Sequence, residues 1–351
     1  MRAVQLTEWQ HEAELVEVRD PVAGPGQVVV AVGGAGLCHS DLHMMDGALG
    51  GSSPWPLPFT LGHEVAGWVQ SVGAGVRSVE PGQPVAVYGA WGCGHCDRCR
   101  VGMENYCEDI EHMSRGGGGG LGIDGGLADY LLVPHERHLV PLPDGLTPVQ
   151  AAPLTDAALS PYHAVARSLP KLGPAATAVV IGVGGLGHLA VQIIKAVSGA
   201  RVIAVDTKRD ALDNAVADGA DVALEAGPNT GAEIKAATGG RGADVVIDCV
   251  GTDSTIATGL GGLRSLGDLT VIGVGMGSIP FGFLSVPFEA SLQTIYWGSR
   301  PELVEVLELG ARGLLRPRFS TFPIEEAVDA YRALAAGELL GRAVIVPRAD
   351  A

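Results

Sequence analysis

Metal-ligating side chains concentrate in a few short stretches of the chain. The most specific is CGHCDRCRVGMENYC, where Cys93, Cys96, Cys99 and Cys107 follow one another at x2, x2 and x7 spacing. Four thiolates on one loop make a closed tetrahedral set, which is how structural zinc is held; two disulfides or an iron–sulfur cluster are the other uses of such close pairs. A zinc enclosed in this way would stabilise a lobe, residues 91–108, and do no chemistry. GLCHSDLH, Gly36 to His43, offers something different: a soft ligand in Cys38, a hydroxyl at Ser40 and an imidazole at His43. That is a metal ligand followed by a candidate proton path, set against the plainer use of a lone Cys as a buried apolar side chain. In TLGHEVAG, His63 is a candidate nitrogen ligand and Glu64 a candidate carboxylate behind it, set against the plainer reading of a structural histidine. Asp156, in AAPLTDAALSPYHA, is a carboxylate amid apolar residues; it serves either as a third ligand or as the N-cap of the helix that follows.

A second chemistry lies in TAVVIGVGGLGHLAVQIIK. The loop Gly182, Val183, Gly184, Gly185, Leu186, Gly187 contains G-x-G-x-x-G between an apolar strand and a helix, the context a dinucleotide fingerprint requires. The first glycine permits the turn, the second lets the backbone meet a pyrophosphate, and the third lets helix and strand pack closely. The next strand, ARVIAVD, ends in Asp206, where a carboxylate can accept hydrogen bonds from ribose hydroxyls and would repel a 2′-phosphate. NAD is therefore favoured over NADP, with Lys208 and Arg209 close by as a counterweight. Val250 and Gly251 in DCVG, and Val274 in VIGVG, end strands on the same carboxyl edge, as ligand contacts or as ordinary strand ends.

The elements that must position these groups change character along the chain. Up to about residue 150, short β-branched runs broken by Gly and Pro signals suggest a barrel-like β unit. Beyond it, strands alternate with helices in the βα pattern of a doubly wound parallel sheet. Two helices, ELVEVLELGARG and EEAVDAYRALAAG, and a strand, AVIVP, close the sequence. Gly116 to Gly120 reads as a mobile loop. The chain has 351 residues and a net charge of −16. That length suits two domains, and that charge argues against nucleic acid or an anionic membrane as partner. With no secretory signal, no membrane-spanning run and clustered thiols suited to a reducing compartment, a cytoplasmic location is expected.

Taken in order, GLCHSDLH, TLGHEVAG, the four-cysteine loop, LTDAALSPYHA and VIGVGGLGHL resemble the zinc-dependent medium-chain alcohol dehydrogenases, close to the bacterial NAD-dependent secondary-alcohol type. The resemblance covers essentially the whole chain. It implies an α/β fold: a GroES-like, β-rich catalytic domain over residues 1–153 and 287–351, beside a Rossmann NAD-binding domain over 154–286. It also implies two zinc ions per chain, one structural and one catalytic on Cys38, His63 and Asp156. Asp156 stands where a Cys completes the Cys2His set of alcohol dehydrogenases. Glu64 would lie behind the metal, and Ser40 would meet the alcohol. Zinc would lower the alcohol's pKa, its proton leaving through Ser40, the nicotinamide ribose and His43 as hydride passes to NAD.

By the same resemblance His39, where an Arg is common, and Arg342 would approach the cofactor phosphates, and Trp55, Leu121 and Trp297 would line a pocket for a medium-sized hydrophobic substrate. Ala211 replaces a basic residue often found near the adenosine. A homo-oligomer, dimer or tetramer, is expected by analogy. A polyol dehydrogenase, a zinc-free quinone reductase and an inactive NAD-sensing zinc protein are the competing readings; the four-cysteine loop disfavours the quinone reductase.

Overall fold

A computed structural model describes residues 1–47 and 55–348 of the chain. The fold divides into two compact units: Met1–Asp156 with Trp297–Arg312 and Pro317–Ala351, and Ala157–Tyr296 with Gly313–Arg316. Among the described residues no helix is long and apolar enough to cross a membrane.

The first unit is built around Val28–Gly36, VVVAVGGAG, a strand buried along its whole length. It pairs antiparallel with Glu64–Val72 on one side and with Arg342–Val346 on the other. Pro84–Val87 and Leu139–Pro141 extend the sheet one way and Phe319–Pro323 the other, while Tyr130–Val133 pairs with the start of the central strand. The register brings three distant pieces of sequence to one point, because Gly36 faces both Glu64 and Val344. The chain then leaves the sheet through Leu37 and Cys38 into the helix His39–Met45. Gly36 has to be glycine, since a Cβ there would overlap the Glu64 carboxylate. Arg2–Leu6, Glu14–Glu17 and Phe59–Thr60 form a separate three-stranded sheet.

Gly116 to Gly120 is not the mobile loop its composition suggested. All five residues are buried, and Gly118–Gly119 bridges to Gly122–Ile123. The glycines are there for close approach: a Cβ on Gly118 would strike the Gly89 carbonyl, and one on Gly119 would come 2.8 Å from the Trp91 ring.

In the second unit six parallel strands lie in the order Val222–Glu225, Arg201–Asp206, Thr177–Ile181, Ala243–Asp248, Leu263–Val271, Ser291–Thr294. In order of appearance this is 3-2-1-4-5-6, the Rossmann arrangement, whose direction of winding reverses beside the first strand. Thr177–Ile181 and Ala243–Asp248 are fully buried, which explains the apolar stretches AVVI and VVI within them. Helices Gly187–Val197, Arg209–Ala217, Thr230–Ala237 and Asp253–Gly262 supply the crossovers.

Candidate active site

The first unit brings Cys38, His63, Glu64 and Asp156 together, one ligand atom of each lying within 4.8 Å of every other. Cys38 Sγ is 4.0 Å from Asp156 Oδ2, and His63 Nε2 is 3.6 Å from the same oxygen. Ligands at about 2.0–2.3 Å from a tetrahedral zinc stand roughly 3.3–3.8 Å apart, so these side chains fit such an ion after a small contraction. The alternative use of Asp156 as a helix cap is not realised. Helix Leu159–Ser168 begins at Ala158, which provides no side-chain cap.

His63 is held by a carboxylate that sequence reasoning missed. Asp41, fully buried, places Oδ1 3.2 Å from His63 Nδ1. Its Oδ2 accepts hydrogen bonds from the Cys38 N–H and from the Tyr331 hydroxyl at 2.8 Å. Asp41 Oδ1 and His63 Nδ1 stand in ion-pair range without a formed hydrogen bond; a carboxylate in this place favours the Nδ1–H tautomer, which leaves the Nε2 lone pair for a metal. The clue was present in GLCHSDLH, where Asp41 sits three residues after the ligand, but an acid in a first helical turn also reads as ordinary dipole compensation.

Glu64 does a different job from the one facing His63. Its Oε1 accepts from Arg342 Nη2 at 2.5 Å, and both side chains are buried. Arg342, expected beside the phosphates, has its guanidinium on Glu64, on the Leu37 carbonyl and 3.7 Å from Cys38 Sγ. Burial pushes the Glu64 carboxyl well above its usual range, with Arg342 pulling against it. For Cys38, burial works against ionisation, but Arg342 and His63 outweigh it and hold the thiol below its ordinary value. Thiolate character favours metal ligation. Glu64 Oε2 has no hydrogen-bond partner, an orphaned acceptor at the edge of the cluster that a bound cation would satisfy.

Ser40 Oγ lies 3.4 Å from His63 Nε2, so the hydroxyl borders the cluster. His43, half-buried one helical turn later, lines a cavity of about 390 Å³ with His39, Glu12 and Tyr331. Trp55 packs over Gly122, and Leu121 is buried beside it. Trp297 meets the His63 ring edge-on, with centroids 5.6 Å apart.

The four-cysteine loop forms a compact thiol cluster with every cysteine unbridged. Cys93 Sγ and Cys99 Sγ are 3.9 Å apart, far beyond a disulfide bond and close to the edge of a zinc–thiolate tetrahedron. Backbone N–H groups of Cys93, Cys96, Cys99 and Glu108 point at the sulfurs. The Glu108 N–H leads in drawing the Cys96 thiol down to about 6. Behind the loop, buried Glu104 accepts from the Gly92 N–H and pairs with Arg137, which also donates to the Gly92 carbonyl.

The second unit arranges its glycines as the fingerprint demands. Gly182 has φ +79°, the left-handed region where a side chain is strained. Gly184 faces open space, and a Cβ on Gly187 would overlap the Gly182 carbonyl. Asp206, at its strand end, accepts from the Val183 N–H at 2.8 Å and the Lys208 N–H at 2.9 Å. Exposed Arg209 turns to Asp213 along its own helix. Val250 and Val274 are exposed at the ends of neighbouring strands, and Gly251, with φ +76°, packs against the Gly273 carbonyl.

A dinucleotide fingerprint, a four-thiol lobe and a buried cluster of Cys38, His63, Glu64 and Asp156 are features found in metal-assisted dehydrogenases. Comparison with known proteins narrows that class. Residues 24–144 match the alcohol dehydrogenase GroES-like domain, and residues 185–312 match the zinc-binding dehydrogenase domain. An NAD-dependent alcohol dehydrogenase of Sulfurisphaera tokodaii is 35% identical over 99% of this chain and all of its own. The crystal structure of the alcohol dehydrogenase from Aeropyrum pernix superposes with a TM-score of 0.91 at 35% identity, covering 99% of this chain and 100% of that one. A D-arabinose 1-dehydrogenase (NADP(+)) of Saccharolobus solfataricus is 31% identical over 99% of this chain and 97% of its own. The chain belongs to the zinc-binding, GroES-like alcohol dehydrogenase family.

Proposed function

We propose that this chain is an NAD-dependent alcohol dehydrogenase that interconverts a medium-sized hydrophobic primary or secondary alcohol with its aldehyde or ketone. The observation that carries the reading is the convergence of Cys38, His63 and Asp156 beside the Ser40 hydroxyl. In this reading those three residues hold a catalytic zinc, and Cys93, Cys96, Cys99 and Cys107 a structural one. When bound, zinc supplies Lewis acidity to the alcohol oxygen and NAD accepts the hydride.

The chain's own residues do the rest. Asp41 fixes the His63 ring, and Arg342 and Glu64 back the cluster. Ser40 takes the hydroxyl proton, and His43, on the same helix face and lining a cavity, passes it to water. Asp206 receives the adenosine ribose hydroxyls, Gly184 leaves room for the pyrophosphate, and Trp55 and Leu121 give the substrate side its apolar character.

The test is NADH formation over a panel of primary alcohols, secondary alcohols, polyols and pentoses, with and without chelator, and with NADP in place of NAD. Hydrophobic alcohols with NAD are expected to react fastest, and chelation to abolish turnover. Asp206→Ser is expected to move the NADP/NAD ratio of kcat/KM up by about tenfold or more, since removing one carboxylate relieves repulsion worth at least ~1.4 kcal/mol. Turnover surviving complete zinc removal would sink the mechanism; a preference for pentoses would place the chain in the branch of its D-arabinose relative.

Self-association is part of the same reading. Ser291–Thr294 is the sheet's edge strand, and Phe281, Phe283, Leu284 and Phe288 just before it are exposed. An unpaired strand beside an apolar patch suits a second copy of the chain. Phe283→Glu with Leu284→Glu should reduce the mass measured by light scattering, and an unchanged mass would remove this surface from consideration.

A further inference from the structure

Trp297 occupies a backbone conformation that a bulky residue avoids. Its φ is +59°, in the left-handed region, where a residue with a Cβ is strained. Among the described residues the other non-glycine positions with positive φ, Gln10, Leu266, Met276 and Glu289, are exposed; Trp297 is 5% exposed. The next residue is Gly298, so the strained slot falls to an indole although a glycine stands one position away.

The surroundings fix this conformation from several sides. The Tyr88 hydroxyl donates to the Gly298 carbonyl at 2.7 Å, Ser299 and Glu302 form a capping box, and the Arg300 N–H donates to the Gly102 carbonyl. The side-chain fit is as tight, because a Cβ on Gly89 would lie inside the indole's six-membered ring edge. Strain maintained by so many contacts points to a task for the side chain.

That task is visible in what the indole touches. Nε1–H donates to the Thr155 carbonyl at 3.0 Å. Thr155 ends a short 3-10 segment, Ala152–Thr155, and is fully buried, a place where a carbonyl requires a donor. The next residue is Asp156. The same indole packs edge-on against His63, at an interplanar angle of 84°. One side chain thus braces two of the three proposed ligands, each through a different contact.

We propose that Trp297 is a positioning residue for the metal set, holding Asp156 through the Thr155 peptide and His63 through its ring. The inference rests on the zinc reading above and sharpens it: Trp297 is more than an apolar wall for substrate. Partners of this kind typically contribute 10–100-fold to metal affinity.

The experiment follows chelator-driven zinc release from the intact protein, reading the phase that Asp156→Ala abolishes. Trp297→Phe keeps an aromatic ring and removes the N–H. It should speed that phase about tenfold or more, shift the d–d bands of the cobalt-substituted protein, and lower kcat without reordering preference along an alcohol chain-length series. Wild-type release rate and cobalt spectrum, with an altered chain-length preference, would overturn the proposal and leave Trp297 as a wall. Gly89→Ala is the second arm, since it displaces the indole while keeping the Trp. It should also speed release, and a folded Gly89→Ala protein with wild-type release would count against the proposal. If the wild type shows no phase that depends on Asp156, the zinc reading itself fails, whatever the variants do.

Discussion

Asp156→Ala is expected to lower kcat/KM by about 10³-fold or more, because the Lewis acidity that depends on the ligand contributes several kcal/mol to the transition state. On the proposed reading of one catalytic and one structural zinc, zinc per chain, measured by elemental analysis, should fall from two to one. The fold should survive, since the N-cap of the following helix is Ala158 rather than Asp156, and Glu64 and Cys38 still face the Arg342 guanidinium. Asp156→Cys is the informative companion. It restores the Cys2His set of alcohol dehydrogenases at the same formal charge, so it should keep both zinc ions and most of the activity. An Asp156→Ala protein that retained two zincs and near-normal turnover would show that Asp156 is no ligand.

Arg342→Met should destabilise the protein by about 3–5 kcal/mol at neutral pH, the range for breaking a buried ion pair from one side. The loss arises from what stays behind: Glu64, fully buried, would keep an unpaired carboxyl. Glu64→Gln should cost less, because Cys38 and Asp156 still face the cation it leaves. The double variant should recover much of the Arg342→Met loss. The pH dependence has a definite sign. Burial already raises the Glu64 pKa in the folded state, and removing Arg342 raises it further. A raised folded pKa favours the fold while the carboxyl is protonated and ceases to do so as pH climbs. The Arg342→Met deficit should therefore be larger at pH 8 than at pH 5. Denaturant melts at both values check this, and a deficit under about 1 kcal/mol at pH 8 would mean that the pair is not the brace described.

What the sequence made legible was local. Cysteines at x2, x2 and x7 need only one loop to meet, and the glycine fingerprint states its own context, a strand before and a helix after. The change from short β runs to βα alternation likewise announced a parallel sheet, although it could not supply the 3-2-1-4-5-6 order. What stayed hidden depended on register. Arg342 meets Glu64 across 278 residues, through two strands that pair with the same central strand, and no spacing rule reaches that far. Asp41 was visible as a residue but not as the partner of His63, since its position equally suits an ordinary helix start. The Gly116–Gly120 run misled because glycine composition is the same for a loop that must move and for one that must pack closely. The left-handed backbone of Trp297 breaks the local rule that would assign such a turn to Gly298.

The strand Arg342–Val346 joins the central strand Val28–Gly36 only after nearly the whole chain has been made. Cys38 precedes Arg342 by 304 residues, roughly 15–60 s of translation at ~5–20 residues per second. During that interval Glu64 has no guanidinium to face, and the far edge of the central strand has no neighbour from the chain's end. Biosynthesis therefore puts the proposed ligands first and the cation that contacts Cys38 and Glu64 last, so that the cluster is completed when the final strand docks.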